Sequence, residues 1–201
     1  MLFRKENIEV KSNNQEEAKS DHDFAFTSKY LNVQAHKVEK LKSDLPRLPG
    51  PSEIFFLQTV QAFNAFVFVQ YVSDLQFIEE LWATTYSVSM RTVEALQELQ
   101  SRGRIGKINL LISDSMQSRN PKVCDAINAW AKTNGNVTVL YTWNHSKFTL
   151  AKTEGNFYCV EGSGNWSENA CYEQYIIYNE ETAFNLRKDL WTDCKPVHKI
   201  N

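Results

Sequence analysis

From Ser52 onward the sequence alternates between apolar segments of strand length and segments with helical spacing, and this alternation strongly limits the possible folds. Residues 107–113 form a short apolar run typical of a buried parallel strand. Residues 121–133 predict a helix with proline in its first turn, and residues 136–141 predict the next strand. The order strand, helix, strand is typical of right-handed βαβ units. We therefore predict an α/β fold with a mixed, largely parallel sheet flanked by helices.

Further segments extend this pattern on both sides. Residues 53–57 and 63–71 are apolar, and periodicity alone does not separate helix from buried strand there. Residues 80–88 are rich in β-forming side chains, whereas residues 91–102 have helical spacing and end before Gly103. After the βαβ unit come two short strands, residues 147–150 and 157–160, joined by a turn with Gly-Asn, and then an apolar strand at residues 175–178.

The N-terminal quarter of the chain differs in composition. Residues 1–50 are rich in Asn, Gln, Glu, Lys, Ser and Asp and close with Pro49-Gly50-Pro51, a sequence that disfavours helix and strand. We predict a partly disordered polar arm with a Pro-rich linker, followed by one domain over residues 51–201. Residues 33–45 place apolar side chains on one helical face. Two interpretations are open for them, a helix that packs on a partner subunit and a solvated tail.

Composition excludes several classes of function. The formal net charge is −2, so a broad basic nucleic-acid surface is absent and any phosphate binding must be local. No apolar run approaches the roughly 18 residues of a membrane span, and the first residues give way at once to polar sequence. We therefore expect a soluble, cytoplasmic protein without membrane contact. The four cysteines have no C-x-x-C pair or histidine at metal-ligand spacing, which favours free buried thiols and no metal.

A stretch between His145 and Glu173 carries the candidate chemistry. In an extended strand His145 and Lys147 project to the same side, which places a titratable imidazole beside a fixed positive charge. Residues 162–165 read Gly-Ser-Gly-Asn, and their hydroxyl, carboxamide and backbone N–H groups suit anionic oxygens. The candidate catalytic residues are His145, Lys147, Ser163, Asn165 and Glu173. The candidate phosphate-binding residues are Lys147, Gly162, Ser163, Gly164 and Asn165.

Each residue also has a simpler interpretation. A lone histidine such as His145 is typical of a loop that closes a strand, and Gly, Ser and Asn dominate ordinary turns. Glu173 is predicted to accept a hydrogen bond from the second imidazole nitrogen and fix its tautomer, although a solvated surface charge is the alternative. Trp143 and Trp166 flank the motif. Their rings could stack on a nucleobase or pack within the protein, and we favour packing.

The two motifs resemble one half-site of the phospholipase D (HKD) superfamily, which carries His-x-Lys followed by Gly-Ser-x-Asn. The matching residues are His145, Lys147, Gly162, Ser163 and Asn165. The layout of residues 50–190 is similar to that of the single-motif bacterial and phage nucleases of this superfamily. The chain departs from the pattern at the family's Asp position, which Lys152 occupies, and in a longer gap before Gly162.

The resemblance implies a homodimer in which two half-sites meet across a two-fold axis. It implies that one His145 attacks phosphorus while the partner subunit's His145 protonates the leaving oxygen and then activates water. Lys147, Ser163 and Asn165 would stabilise charge on the equatorial oxygens, without a metal or other cofactor. We therefore expect a metal-independent phosphodiester hydrolase, and in particular an endonuclease that acts on nucleic acid. The alternative is a catalytically inactive protein that binds phosphate or DNA.

Overall fold

A mixed sheet with helices on both faces is formed by the residues that the computed structural model describes, namely 27–33, 38–167 and 171–200. The strands are β1 (Thr27–Val33), β2 (Glu53–Thr59), β3 (Ile78–Thr85), β4 (Ile105–Ser113), β5 (Val137–Thr142), β6 (Phe148–Thr153), β7 (Asn156–Gly162), β8 (Gln174–Asn179) and β9 (His198–Ile200). The helices are α1 (Val38–Asp44), α2 (Val67–Leu75), α3 (Met90–Ser101), α4 (Met116–Arg119), α5 (Pro121–Thr133) and α6 (Glu181–Thr192).

The predicted βαβ order is confirmed in the middle of the sheet. Strands β3, β4 and β5 pair in parallel, with α3 in the first connection and α4 and α5 in the second. Helix α5 covers the predicted residues, and α3 ends just before Gly103, which has a positive φ of 65°. The ambiguous run 63–71 contains the first residues of α2, so this part of it is helix.

The prediction of a largely parallel sheet is wrong. The described strands have the order β1-β2-β8-β7-β6-β3-β4-β5-β9, and five of these eight neighbouring pairs are antiparallel. The physical reason lies in the connections, because parallel strands need a crossover of a dozen or more residues and a tight turn permits only an antiparallel pair. Strands β6 and β7 are joined by such a turn, in which Gly155 has a φ of 71°.

Apolar side chains cover both faces of the sheet. In β3 the buried side chains of Leu81 and Ala83 belong to one cluster, and that of Trp82 between them belongs to another. This follows from strand geometry, since successive side chains point to opposite faces. Helices α1, α2, α3 and α5 contribute to the first cluster, whereas α6 contributes Phe184 and Trp191 to the second. Helix α6 therefore covers the face of the sheet that carries the second cluster, next to the candidate site.

The described part of the N-terminal arm packs on the rest of the chain. Strand β1 pairs in parallel with β2, and Leu41 and Leu45 are 0% exposed. The hydroxyl of Tyr71 donates to the carbonyl of Leu45 at 2.6 Å. This burial contradicts the solvated-tail interpretation for these residues. Residues 1–26 and 34–37 lie outside the described residues, so the predicted disorder and the domain division at residue 50 stay predictions.

The four cysteines all lie in the described part of the chain and are free. Cys124 and Cys159 are buried, which confirms the predicted environment for these two thiols. Cys171 is exposed and Cys194 is half-buried, so the prediction is wrong for them. Cys194 follows α6 and packs against the edge of the second apolar cluster.

Candidate active site

Strand directions bring the predicted motifs to one edge of the sheet. Strand β6 runs antiparallel to β3, so the residues just before Phe148 lie beside the end of β3 at Thr85. Strand β7 returns to the same edge, where the N–H of Gly162 donates to the carbonyl of Lys147 at 3.3 Å. Strand β8 starts there with Gln174. The His-x-Lys segment, the Gly-Ser-Gly-Asn segment and the start of β8 therefore meet.

His145 and Lys147 are in direct contact. The Lys147 ammonium donates to the His145 carbonyl at 2.8 Å and lies 3.3 Å from the imidazole Nδ1. Both residues precede β6, so the strand predicted from residue 147 begins one residue later. Burial lowers the pKa of Lys147, and the negative charge of Glu173 opposes this shift. The arrangement offers an exposed imidazole with a cation at hydrogen-bonding distance.

Ser163 and Glu173 tie the loop after β7 to the start of β8. The Ser163 hydroxyl donates to the Glu173 carboxylate and accepts from the N–H of Gln174 at 3.0 Å. The N–H of Glu173 donates to the hydroxyl of Thr59 at 2.8 Å, which fixes this backbone. Glu173 is thus placed at the edge of the site. Its predicted hydrogen bond to His145 stays a prediction, since the described contact of this carboxylate is with Ser163.

Asn165 and Trp166 anchor the other end of the same loop. The side-chain oxygen of Asn165 accepts from the N–H of Tyr86 at 3.2 Å. Trp166 is 2% exposed, and its indole N–H donates to the hydroxyl of Thr149 at 3.1 Å. The packing interpretation is therefore confirmed for Trp166. It is wrong for Trp143, whose side chain is 91% exposed.

Two residues that the sequence did not indicate extend the site: Tyr86 lies beside His145, and Arg119 lies against Tyr86. The ring centroids of Tyr86 and His145 are 4.9 Å apart. The Arg119 guanidinium lies 4.2 Å from the Tyr86 ring centroid and donates to the Tyr86 carbonyl at 3.1 Å. Both residues follow the carboxyl ends of parallel strands, which is the available sequence signal, since such ends commonly form sites in α/β sheets. Arg119 thus places a second cation on the Tyr86 ring, which itself lies against the imidazole.

A cavity of about 730 Å³ opens beside His145 and Lys147. Its walls come from the β5–β6 loop, the end of β7 and helix α6; they include Trp143, Ser163, Arg187 and Leu190. The Glu161 carboxylate accepts from the Arg187 guanidinium at 2.8 and 2.5 Å, which fixes the cation at the wall. A volume of this size suits a small ligand or one unit of a larger one.

Lys152, at the position of the family's Asp, belongs to a different part of the molecule. It lies near the far end of β6 from His145 and forms an ion pair with Glu79 at 3.0 Å. The pair is exposed, and such pairs contribute little to stability. Lys152 therefore has no contact with the candidate site among the described residues.

Gly162 is required by the close approach of β7 to β8. A methyl group at this position would lie 2.3 Å from the carbonyl oxygen of Gln174 and 2.5 Å from the ring of Tyr175. We expect Gly162→Ala to lower the free energy of unfolding by about 1–3 kcal/mol, as overpacking does, in urea denaturation. Gly135→Ala is the matched control, since a methyl group there meets nothing within 4 Å. Equal stability of the two variants would contradict the close approach.

Comparison with solved structures identifies the fold. The described chain superposes on polyphosphate kinase from Porphyromonas gingivalis with a TM-score of 0.55 and 12% identity, covering 83% of this chain and 31% of that one. This likeness shows a phospholipase D-like fold and, at such low identity, nothing about activity. No protein-family model matches the sequence, and no curated protein matches it.

Two further structures are similar at lower scores. Phosphatidylserine synthase from Haemophilus influenzae Rd KW20 has a TM-score of 0.49 and 12% identity over 73% of this chain and 39% of that one. The archaeal chromatin protein TrmBL2, described as showing a novel mode of DNA binding, has a TM-score of 0.48 and 12% identity over 78% and 56%. The chain thus spans between about a third and a little over half of these proteins' length.

The described ranges contain no group of three or more His, Cys, Asp or Glu side chains placed to hold a metal ion. No helix within them has the length and apolar character needed to cross a bilayer.

Proposed function

We propose that the protein is a metal-independent phosphodiester hydrolase, an endonuclease, that acts through a phosphohistidine in a site shared by two subunits. One observation carries the proposal. The imidazole of His145 and the ammonium of Lys147 lie 3.3 Å apart at the edge where the Gly-Ser-Gly-Asn loop also lies. An exposed imidazole nucleophile with a cation at hydrogen-bonding distance suits a tetrahedral phosphate.

The chemistry divides between the side chains as follows. The imidazole of one His145 attacks phosphorus, forming a P–N bond as the bond to the leaving oxygen breaks. The partner subunit's His145 protonates that oxygen and afterwards removes a proton from the water that cleaves the P–N bond. The Lys147 ammonium stabilises the negative charge that develops on the equatorial oxygens.

The surroundings of His145 support this assignment. The side chain is exposed, so a second subunit and a polymeric substrate have access to it. Tyr86 lies against its ring, and Arg119 lies against Tyr86, which supplies positive potential without a broad basic surface. The net charge of −2 makes such a local concentration of cations necessary for binding a phosphodiester.

Two measurements test the proposal directly. The first is release of chromophore from a chromogenic phosphodiester, with acid-labile phosphorylation of His145 detected by mass spectrometry of quenched protein. The second is conversion of circular single-stranded DNA to linear molecules, which requires an internal cut. Trapped phosphohistidine at His145 is the expected result. Turnover with no phosphorylated histidine at any quench time would overturn the mechanism.

Chelation separates this mechanism from a metal-assisted one. Because the nucleophile is an imidazole and the charge is stabilised by Lys147, no step of the proposed mechanism uses a metal-bound water. We expect hydrolysis in excess EDTA at the rate measured without it, within about two-fold, where loss of a catalytic metal would cost orders of magnitude. A large loss that added Mg²⁺, Mn²⁺ or Zn²⁺ restores would contradict the proposal.

A second candidate function rests on the position of Lys152 and the bonding of Ser163. Where the family has Asp, Lys152 is paired with Glu79, and the Ser163 hydroxyl is already bonded to Glu173. These departures favour a protein that binds phosphate or DNA without turnover. Saturable binding of single-stranded DNA by a confirmed dimer, with no phosphohistidine and no cleavage, would select this alternative.

A further inference from the structure

Trp143 is an exposed tryptophan at the rim of the candidate site. Its side chain is 91% exposed, whereas Trp82, Trp130, Trp166 and Trp191 are between 2% and 7% exposed, and these five are all the tryptophans of the chain. Large apolar rings are normally kept from water, because burying them contributes strongly to stability. An indole left uncovered two residues before the proposed nucleophile therefore has its ring faces available to a flat ligand.

The loop that carries Trp143 is held in place. The side-chain oxygen of Asn144 accepts from the N–H of Ser146 at 2.9 Å and from the hydroxyl of the same residue at 2.5 Å. The N–H of Phe148 donates to Thr84 at 3.2 Å, which fixes the far end of the loop to β3. The indole is thus presented from an ordered segment, which lowers the entropic cost of stacking.

The cavity beside Trp143 has room for one nucleotide and is bordered by the Lys147 ammonium. Trp143 and Arg187 both line the space of about 730 Å³ that borders His145 and Lys147. The bidentate contact with Glu161 fixes Arg187 and compensates the charge of that carboxylate. A ligand that brings a phosphate to Lys147 and a flat ring to Trp143 therefore meets both of its parts in one cavity.

We propose that Trp143 stacks on an unpaired base of a single-stranded nucleic acid, in the nucleotide next to the phosphate at His145. This deepens the proposed function and rests on it, because it assigns the substrate class of the same site. The charge of the chain supports it: at −2, attraction to a polyphosphate backbone is weak, so affinity must come largely from another interaction. Stacking supplies that interaction, and only an unpaired base exposes its face to the indole.

Binding is tested in a His145→Asn background, so that nothing is cleaved during the titration. The probes are a fluorescent single-stranded hexamer, its duplex and an abasic hexamer with the same number of phosphates. We expect Trp143→Ala to weaken binding of the single strand by about 5- to 150-fold, the range for loss of one stacked base, and to leave the abasic affinity unchanged. Trp143→Phe should restore part of the affinity. Equal losses for the single strand and the abasic probe would overturn the proposal.

The indole itself gives a second readout that is independent of turnover. Since Trp143 is the exposed tryptophan, acrylamide quenching reports mainly on it. We expect the single-stranded hexamer to protect it and the abasic hexamer not to. If Trp143 is already protected without nucleic acid, and Trp143→Ala dissociates a dimer, the ring is covered by a second copy and the proposal is wrong. If the wild-type protein hydrolyses the abasic strand but no base stacks on Trp143, this inference alone is wrong. If a base stacks on Trp143 but no strand is hydrolysed, only the proposed function is wrong.

Discussion

His145→Asn is expected to abolish phosphodiester hydrolysis, with kcat reduced by about 10⁴-fold or more, because asparagine provides neither a nucleophilic ring nitrogen nor a group that can accept and return a proton. The side chain is exposed, so the thermal unfolding midpoint should stay within error of the wild type. The measurement is initial rate on the chromogenic diester, with phosphohistidine followed in the same quenched samples.

His198→Asn is the matched control for this experiment. His198 is also exposed, and it lies on β9 at the end of the sheet order, paired with β5. We expect this variant to hydrolyse at the wild-type rate. An active His145→Asn protein would remove the catalytic role of His145, and an inactive His198→Asn protein would show that loss of activity does not report on the site.

Trp166→Ala is expected to have the largest effect on stability, lowering the free energy of unfolding by about 3–5 kcal/mol. The ring is buried and lies edge-on to Phe66 at a centroid distance of 5.2 Å. Its backbone carbonyl accepts from the Thr92 hydroxyl at 3.0 Å, so the residue joins the loop after β7 to helix α3. Loss of this anchor should also displace Asn165, and activity should fall in the protein that remains folded.

Urea denaturation followed by circular dichroism measures this change. Trp143→Ala is the matched control, because the same truncation at an exposed position should change the free energy of unfolding by less than about 0.5 kcal/mol. Trp166→Phe, which keeps most of the ring volume, should retain more stability than Trp166→Ala. Similar midpoints for the two alanine variants would contradict the burial of Trp166.

Local patterns predicted much of this fold because they report on short stretches of backbone. The apolar run 107–113 and the helix with proline at residue 121 follow from periodicity, and the structure places β4 and α5 there. Strand pairing is a different matter. The strand at residues 175–178 was predicted, but no local pattern specified which strands it pairs with or in which direction β6, β7 and β8 run.

The candidate site shows the same division. His145 and Lys147 are two residues apart, so their spacing predicted that they project together, and the resemblance to the HKD motif added Gly162. Tyr86, Arg119 and Arg187 reach the site from three other segments, and no local pattern relates them to it. The exposure of a side chain likewise depends on the whole fold. Trp143 and Trp166 both flank the motif in sequence, and this similar placement could not predict that one is exposed and the other buried.

The pairing of β2 with β8 has a consequence for how the molecule folds. It joins residues as distant as Ile54 and Tyr178, whereas the parallel unit of β3, β4 and β5 is built from neighbouring segments. Closing so long a segment costs chain entropy before any contact offsets it, so we expect the central unit to order early and the β2–β8 pair late. During synthesis on the ribosome, Glu173 emerges after His145, and the candidate site is therefore completed only in the final stage of folding.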